Sequence, residues 1–273
     1  MKIFLDSANI EEIKEVLYLI DGVTTNPSLI KKAVERYKKK DKNLDLEKYI
    51  KQILKICKGK PVSLEVIGTT YKEMTEEGLI LYKKFNPTAK NVYVKIPVNP
   101  CLKESCPVSS DGIKAIKFLS SKKIPVNCTL VFTPAQAMLA AKAGAKFISP
   151  FTGREDDYIR ELNRIKFDKK DYYPKDGFKK GKKIIQDKGI VSGVDLIKKT
   201  KEIFIKQKTK SEILAASIRN KTQFREVALA GADIVTVPYK VIKQLLGHHK
   251  TVEGMKGFVR DIVPEYAKLL KKK

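Results

Sequence analysis

Residues Val92–Pro97 read VYVKIP, an apolar run of β-branched and aromatic residues closed by a proline. Such a run predicts a buried strand, and Lys95 lies in its middle. A charged amine in a buried strand is costly unless another group uses it. A desolvated lysine has a lowered pKa and becomes a nucleophile that can form a Schiff base with a carbonyl substrate. The plainer interpretation is a lysine that reaches past the strand end to water.

Strand patterns alternate with helical patterns on both sides of this run and along the whole chain. Eight such β/α units are typical of a closed barrel, so we expect an α/β fold, a single parallel (β/α)8 TIM barrel. We expect one domain over residues 1–273, with a long connection at about 155–190 and an extra C-terminal helix. The alternative is a doubly wound open sheet, although no Gly-x-Gly-x-x-Gly motif follows the first strand. The expected strands are 2–6, 22–25, 61–66, 92–96, 125–128, 146–149, 213–216 and 233–237.

The formal net charge of +25 invites a nucleic-acid-binding hypothesis. Arginine, which contacts phosphates and bases through paired hydrogen bonds, supplies only 7 of the 56 basic residues. The lysines are spread over helix faces and the C-terminal tail, so we expect a solvated surface and no nucleic-acid partner. A basic nucleic-acid-binding protein remains as the non-enzymatic alternative.

No apolar run has membrane-spanning length, and no signal peptide precedes the first strand. We therefore expect a cytoplasmic protein without a membrane partner. Its four cysteines, Cys57, Cys101, Cys106 and Cys128, are expected to be free thiols, although Cys101 and Cys106 could pair if oxidised. There is no second close cysteine pair and the two histidines are remote, so no metal site is expected.

Polar side chains end nearly every expected strand, and active sites of parallel barrels lie at these carboxyl ends. Each residue has a plain structural interpretation. Asp6 or Ser7 could cap the first helix, and Arg154 could be a surface arginine. Together the residues predict one polar pocket, which is hard to explain by structure alone. The strand-end residues are Asp6, Asn26, Glu65, Lys95, Asn127, Thr129, Ser149, Arg154, Ser217, Arg219 and Thr236.

These side chains suit imine chemistry with proton transfers. Lys95 would attack the carbonyl of a ketose, while the carboxyl groups of Asp6 and Glu65 divide into acid and base. Guanidinium and hydroxyl donors suited to a phosphate belong to Arg154, Ser217 and Arg219. The amides that could orient sugar hydroxyls belong to Asn26 and Asn127.

The chain resembles the transaldolase family through motifs that run in family order from residue 4 to about 240. TTNPSL at Thr24–Leu29 is similar to the family's second-strand motif and is close to diagnostic. VKIP at Val94–Pro97 resembles the Schiff-base motif. The other matching motifs are FLDSAN at Phe4–Asn9, NCTL at Asn127–Leu130, ISPFTGR at Ile148–Arg154 and ASIRN at Ala216–Asn220.

The resemblance implies a role for each matching residue. Lys95 would form the Schiff base, and Asp6 would act as acid and base on the C4 hydroxyl when the C3–C4 bond breaks. Glu65 and Thr129 would hold the water that carries protons during imine formation. The implied substrate-binding residues are Asn26, Asn127 and Ser149 for the sugar and its imine, and Arg154, Ser217 and Arg219 for its phosphate.

The implied activity is transfer of a dihydroxyacetone unit from fructose 6-phosphate or sedoheptulose 7-phosphate to an aldose phosphate, in the pentose phosphate pathway. No metal or organic cofactor is expected, because the lysine amine is itself the electron sink. The family also contains fructose-6-phosphate aldolase, which releases free dihydroxyacetone. In that subgroup glutamine typically replaces Glu65, and a tyrosine that helps protonate the enamine replaces Phe151. Both positions favour transfer here, and Phe151 is a further candidate site residue.

Two segments depart from the compact members of the family. The loop 99–109 carries extra proline and cysteine residues, and the connection 155–190 is longer. Compact members form pentameric rings and decamers, whereas long members are mostly dimers. The resemblance therefore implies a homo-oligomer, as a pentamer, decamer or dimer, with sugar phosphates as its substrates. The amphipathic segment 252–270 could pack on a neighbouring subunit or cover its own barrel.

Overall fold

The computed structural model describes residues 1–39, 45–102, 109–169 and 171–270. Eight strands close into a parallel barrel, and two short strands form a separate antiparallel hairpin. In chain order the strands are β1 Lys2–Asp6, β2 Gly22–Thr24, β3 Val62–Glu65, β4 Val92–Pro97, β5 Val126–Val131, β6 Phe147–Pro150, β7 Lys179–Lys180, β8 Lys183–Ile184, β9 Glu212–Ala215 and β10 Ile234–Val237. Around the barrel the order is β1-β10-β9-β6-β5-β4-β3-β2. The expected parallel barrel is confirmed, and the open sheet is wrong.

Helices surround the barrel and connect its strands. They are α1 Ile10–Val16, α2 Pro27–Lys38, α3 Leu46–Ile56, α4 Tyr71–Phe85, α5 Asp111–Ser121, α6 Pro134–Ala143, α7 Thr152–Leu162, α8 Gly193–Lys206, α9 Lys221–Leu229, α10 Tyr239–Leu246, α11 His249–Arg260 and α12 Pro264–Leu270. The N-cap of α1 is Asn9, whose side chain accepts a hydrogen bond from the Glu11 N–H. Asp6 and Ser7 therefore do not cap this helix, and Asp6 is left for another role.

Successive residues of each strand face opposite sides of the barrel wall. One set, for example Leu5 and Val94, packs outward against the helices in the main core. The other set faces inward, and its lower members form what we call the barrel floor. The barrel floor consists of Phe4, Tyr93, Phe147, Leu214 and Ile234.

Aromatic rings fill this floor. The Phe147 ring meets the Phe4 ring edge-on, with centroids 5.7 Å apart, and stacks on the Tyr93 ring at 4.7 Å. Gly22 makes room for the Phe4 ring, because a Cβ at this position would lie 2.6 Å from Phe4 Cζ. The barrel is therefore closed below by packed side chains, and only its upper end can hold a substrate.

The long connection was expected to begin at about residue 155, and this start is wrong. Helix α7 extends from Thr152 to Leu162, so the connection begins after Leu162. The buried side of this helix is charged instead of apolar, so hydrophobic periodicity did not indicate a helix. Its buried charged residues are Glu155, Asp156, Asp157 and Arg160.

The segment between α7 and α8, residues 163–192, is called the strap below. It contains the β7–β8 hairpin and packs Tyr173 and Ile185 on Ile159 of α7. Arg160 Nη2 donates to the Tyr172 carbonyl at 2.9 Å, which also holds the strap against α7.

The extra C-terminal helix is confirmed as α11 and α12. These two helices and the residues 261–263 between them are called the arm below. No described residue of the arm is buried, so the arm does not cover its own barrel. No helix in the described ranges is both long enough and apolar enough to span a membrane.

Of the three cysteines that the structure describes, one differs from the expected free thiol. Cys57 and Cys128 are free and buried, and burial raises the pKa of the Cys57 thiol to about 11. Cys101 is disulfide-bonded, so the expectation of a free thiol is wrong there. Cys106, its expected partner, lies outside the described residues.

Candidate active site

A cavity of about 120 Å³ lies above the barrel floor, at the carboxyl ends of the strands. It is lined by Asp6, Thr24, Asn26, Lys95, Ser149, Phe151, Arg154, Leu214, Ala216, Ser217 and Thr236. Most of the predicted site residues therefore converge, as the strand-end pattern indicated. A larger groove of about 790 Å³ runs along the outside of α6, but its lining includes no carboxylate, histidine or cysteine. We take the smaller cavity as the candidate active site because the titratable groups meet there.

Lys95 is buried, with 5 % of its surface exposed, and does not reach past the strand end to bulk water. Its Nζ lies 2.9 Å from Glu65 Oε2 and donates to the Thr25 carbonyl at 3.3 Å. The contact with Glu65 is an ion pair without aligned hydrogen-bond geometry, so the amine is held beside the carboxylate but is not locked onto it. A primary amine in the cavity wall with a proton acceptor next to it is what imine formation requires.

Asp6 is the second carboxyl group of the cavity, and its surroundings differ from those of Glu65. Thr24 Oγ1 donates to Asp6 Oδ1 at 2.7 Å and also contacts Thr236 Oγ1 at 2.6 Å. Burial raises the pKa of Asp6, and the Thr24 hydrogen bond, followed by the charges of Lys95 and Arg154, opposes this shift. A raised pKa makes the Asp6 carboxylate a stronger base, which suits a group that takes up and returns a proton during catalysis.

A chain of polar side chains crosses the wall beside Lys95. Ser149 Oγ donates to Asn127 Oδ1 at 2.7 Å, and Asn127 Nδ2 donates to Ser63 Oγ at 3.1 Å. These bonds fix the Asn127 amide next to Lys95, its partner in the strand register. Thr129 follows on the same face of β5, and its buried hydroxyl has no hydrogen-bond partner among the described residues.

The backbone is strained where β6 and β9 end. Ser217 has φ 61°, in the left-handed region that residues with a side chain rarely adopt. The Gly153 N–H donates to the Ser217 carbonyl at 3.2 Å, and a Cβ at Gly153 would lie 2.4 Å from that oxygen. Glycine at 153 therefore allows the close approach that sets Ser217 beside Arg154 in the cavity wall. Such strain is often found at functional sites.

Comparisons with known proteins identify the family of the chain. A family model described as Transaldolase/Fructose-6-phosphate aldolase matches residues 3–272. The chain belongs to this family. A probable transaldolase of Thermoplasma volcanium is 42 % identical over 263 residues, covering 96 % of this chain and 95 % of the relative. Probable transaldolases of Leptospira biflexa and Aquifex aeolicus are 40 % and 38 % identical over 263 residues, and each alignment covers 96 % of this chain. The alignments cover 97 % and 96 % of those two relatives. These findings support an enzyme of the aldolase/transaldolase type.

The two arginines expected at the phosphate of a transaldolase-type substrate lie in different settings. Arg154 lines the cavity, and its guanidinium lies 5.2 Å from the Phe151 ring centroid. Arg219 does not line the cavity; its guanidinium pairs with Asp157. The phosphate-binding role of Arg219 therefore remains a prediction.

Several residues of this transaldolase-family site had no predicted role. Thr24 donates a hydrogen bond to Asp6, and the Thr25 carbonyl accepts one from Lys95. Ser63 accepts one from the Asn127 amide. The signal for Ser63 was its place two residues before Glu65 on β3, which puts both on the inner face. Asp157 had no such signal, because its partner is far away in sequence. Among the described residues, no group of histidine, cysteine and acidic side chains is arranged to hold a metal ion.

Proposed function

We propose that this chain is a transaldolase that transfers a dihydroxyacetone unit between sugar phosphates in the cytoplasm, in the pentose phosphate pathway. The observation that carries the proposal is the buried amine of Lys95, held between Glu65 Oε2 at 2.9 Å and the Thr25 carbonyl at 3.3 Å. The donor is fructose 6-phosphate or sedoheptulose 7-phosphate.

The reaction begins at Lys95. The neutral amine adds to the C2 carbonyl of the donor, and loss of water gives an iminium ion on Nζ. Glu65, whose Oε2 lies 2.9 Å from Nζ, takes the proton from the amine. Thr129, whose hydroxyl has no hydrogen-bond partner among the described residues, holds the water that carries the proton onward. Asn127 is held in place beside Lys95 and orients the imine.

Cleavage follows at the C3–C4 bond. Asp6 takes the proton of the C4 hydroxyl, the bond breaks, and the electron pair moves into the iminium, which becomes an enamine. The iminium is the electron sink, so this step needs no metal or organic cofactor. The aldose phosphate formed by the cleavage leaves, the enamine attacks the aldehyde of the acceptor, and Asp6 returns the proton to the new hydroxyl. Water then hydrolyses the new iminium, which releases the product ketose and the free amine of Lys95. The guanidinium of Arg154 and the hydroxyl of Ser217 hold the phosphate at the cavity wall.

Borohydride reduction tests this proposal. With fructose 6-phosphate present, reduction should leave a covalent adduct of the three-carbon unit on the peptide that contains Lys95, detected by mass spectrometry. Lys95→Ala should remove both the adduct and the activity. An adduct on a different lysine would contradict the assignment.

The family description also includes fructose-6-phosphate aldolase, so free cleavage is the second candidate function. The Phe151 ring borders the cavity and packs on the Phe132 ring at 5.9 Å, but it has no proton to donate. Without a donor the enamine should wait for an acceptor. Phe151→Tyr adds a hydroxyl at nearly the same volume and should raise release of dihydroxyacetone by roughly 10²-fold. The measurement is dihydroxyacetone release with and without erythrose 4-phosphate. Rapid release by the wild type without acceptor would favour the aldolase.

The arm supports a proposal about assembly. We propose a homo-oligomer in which the arm of one copy is covered by another copy. Its large apolar side chains are all more than half exposed, an arrangement that is unfavourable in water. They are Val252, Met255, Phe258, Val259, Ile262, Val263, Tyr266, Leu269 and Leu270. Light scattering should give a mass above that of one chain, and Phe258→Asp should lower it.

The lysine-rich surface has no role in this proposal, and absence of a nucleic-acid partner stays a prediction. Heparin retention that persists in moderate salt, together with no imine trapping, would favour the basic-protein alternative.

A further inference from the structure

Arg219 and Asp157 form a charged pair just outside the cavity. Both terminal nitrogens of the guanidinium donate to the two carboxylate oxygens, in the bidentate geometry that is the strongest for this pair. The side chains are 19 % and 11 % exposed, so water screens the pair much less than it screens a surface ion pair. A pair of this kind holds the plane of the guanidinium in one orientation.

Among the described residues, hydrogen bonds occupy only part of the Arg219 guanidinium. A guanidinium has five N–H donors. Asp157 takes two of them, and the carbonyl of Lys169 in the strap accepts a third from Nη1 at 3.1 Å. The two remaining donors are on Nε and Nη2, which share one edge of the planar group. Two parallel N–H groups on one edge match two oxygens of a phosphate.

The surroundings hold Arg219 at both its backbone and its side chain. Gln223 Oε1 accepts from the Arg219 backbone N–H at 2.9 Å, and Gln223 Nε2 donates to Asp156 at 2.8 Å. A Cβ at Gly153 would lie 2.9 Å from Arg219 Nε. Gly153 directly precedes Arg154, and Arg219 follows Ser217 by two residues. The Nε side of Arg219 therefore lies beside Gly153, whose chain neighbour Arg154 lines the cavity.

We propose that Asp157 is a positioning residue for substrate binding, and that with the Lys169 carbonyl it orients Arg219 so that the Nε and Nη2 edge receives the phosphate of the substrate. This inference rests on the proposed function, which places a phosphate at this side of the cavity. It also assigns a role to the strap, which supplies the Lys169 carbonyl.

If Asp157 competed with the phosphate for Arg219, its removal would have the opposite effect on phosphate binding. If Asp157 only neutralised Arg219, its removal would free a cation and strengthen phosphate binding. If Asp157 positions Arg219, its removal weakens phosphate binding even though the net charge becomes more positive. The sign of the change therefore separates the two roles.

The experiment compares Asp157→Asn with the wild type and with Glu161→Gln, an exposed acid of the same helix that makes the same change in charge. Asp157→Asn should raise the KM for fructose 6-phosphate about tenfold, or about 1.4 kcal/mol, with kcat nearly unchanged. The KM for unphosphorylated fructose should not change. Binding of inorganic phosphate, measured by calorimetry, should weaken by a similar factor. Glu161→Gln should leave all three values as in the wild type.

Three outcomes separate this inference from the proposed function. Unchanged or tighter phosphate binding in Asp157→Asn would overturn the positioning role and leave the proposed function intact. Weaker phosphate binding without any imine trapping in the wild type would keep the positioning role and overturn the transaldolase proposal. A wild type that binds neither inorganic phosphate nor fructose 6-phosphate would overturn both.

Two further variants control for a loss of folding and for an effect that does not pass through Arg219. If Asp157→Asn unfolds, Asp157→Glu keeps the charge but moves it, and should raise the same KM by a smaller factor at an unchanged melting temperature. In an Arg219→Ala background, Asp157→Asn should have no further effect on phosphate binding. An equal effect in that background would show that Asp157 does not act through Arg219.

Discussion

The inner face of the barrel has two layers built by the same strands. The lower layer is packed and apolar, whereas the upper layer is mostly polar and lines the cavity. On β1 and β6 the lower residues are Phe4 and Phe147, and the residues two positions later are Asp6 and Ser149. On β4 the catalytic candidate Lys95 follows Tyr93 of the floor in the same way. A period of two residues is enough to place a packed apolar layer under a polar one.

The two layers differ in what they contribute to folding. The barrel floor buries apolar rings, which is the main favourable term in folding. The upper layer removes Lys95 and Glu65 from water, which costs free energy that their ion pair only partly restores. We therefore expect changes in the upper layer to affect catalysis, and changes in the floor to affect stability.

The largest effect is expected from Lys95→Ala. Among the described residues that line the cavity, Lys95 supplies the only amine, so its loss should lower turnover by roughly 10⁴-fold or more. The unfolding free energy should change less than in the floor variant described below, because Lys95→Ala removes no packed aromatic ring. Steady-state transfer to erythrose 4-phosphate and urea unfolding measure the two quantities. A large loss of stability with residual turnover would contradict the division between the layers.

Asp6 and Glu65 should differ within the upper layer. Asp6→Asn should lower turnover by roughly 10²–10⁴-fold while imine trapping by borohydride persists, because Asp6 acts after the imine has formed. Glu65→Ala should slow the trapping itself. Mass spectrometry of the trapped protein over time distinguishes them. If both variants lose trapping equally, the two roles are wrongly divided.

The floor should show the reverse behaviour in Phe147→Ala. Removing a buried ring that packs on Phe4 and Tyr93 should lower the unfolding free energy by about 3–5 kcal/mol. The folded fraction should still trap the imine at Lys95. Tyr18→Ala is the matched control, since this ring is 78 % exposed and its loss should change stability by less than about 0.5 kcal/mol. Loss of trapping at full stability would place Phe147 in the site.

A smaller effect per unit of pH is expected outside the barrel, at Glu155 on the buried side of α7. Its carboxyl is fully buried with no hydrogen-bond partner among the described residues, and desolvation, then Asp187 and Asp156, raise its pKa from 4.5 to about 8. Between these values the folded chain binds a proton that the unfolded chain does not, so stability falls as pH rises. One such group gives a slope of about 1.4 kcal/mol per pH unit.

Glu155→Gln should therefore flatten the pH dependence of the unfolding free energy between pH 5 and 8. Urea unfolding at several pH values measures the slope, and Glu161→Gln should leave it unchanged. Asp156, whose pKa burial raises to about 7, contributes a similar slope and should remain in the variant. An unchanged slope in Glu155→Gln would mean that this carboxyl is charged in the folded state.

Much of this architecture could be predicted from local sequence patterns. The strands appear as apolar runs, and the residue at each strand end identifies what faces the cavity. Lys95, Asp6 and Ser149 could be placed in this way, because a period of two is a local property.

Two parts could not be predicted for physical reasons. Helix α7 buries acids and an arginine, and hydrophobic periodicity cannot indicate a helix whose buried side is charged. The Asp157–Arg219 pair joins residues 62 positions apart, so no local pattern contains it. The same pair explains why Arg219, placed near Arg154 by its motif, lies outside the cavity wall.

The closed barrel also constrains how the chain can fold while it is being synthesised. β1 pairs with β10, matching Lys2 with Ile234 and Leu5 with Val237. One side of β1 must therefore stay unpaired until β10 has been made. A nascent chain interrupted before Ile234 has open edges on β1 and β9, and unpaired strand edges are where newly made β proteins associate with one another. Completion of β10 removes both edges in one step.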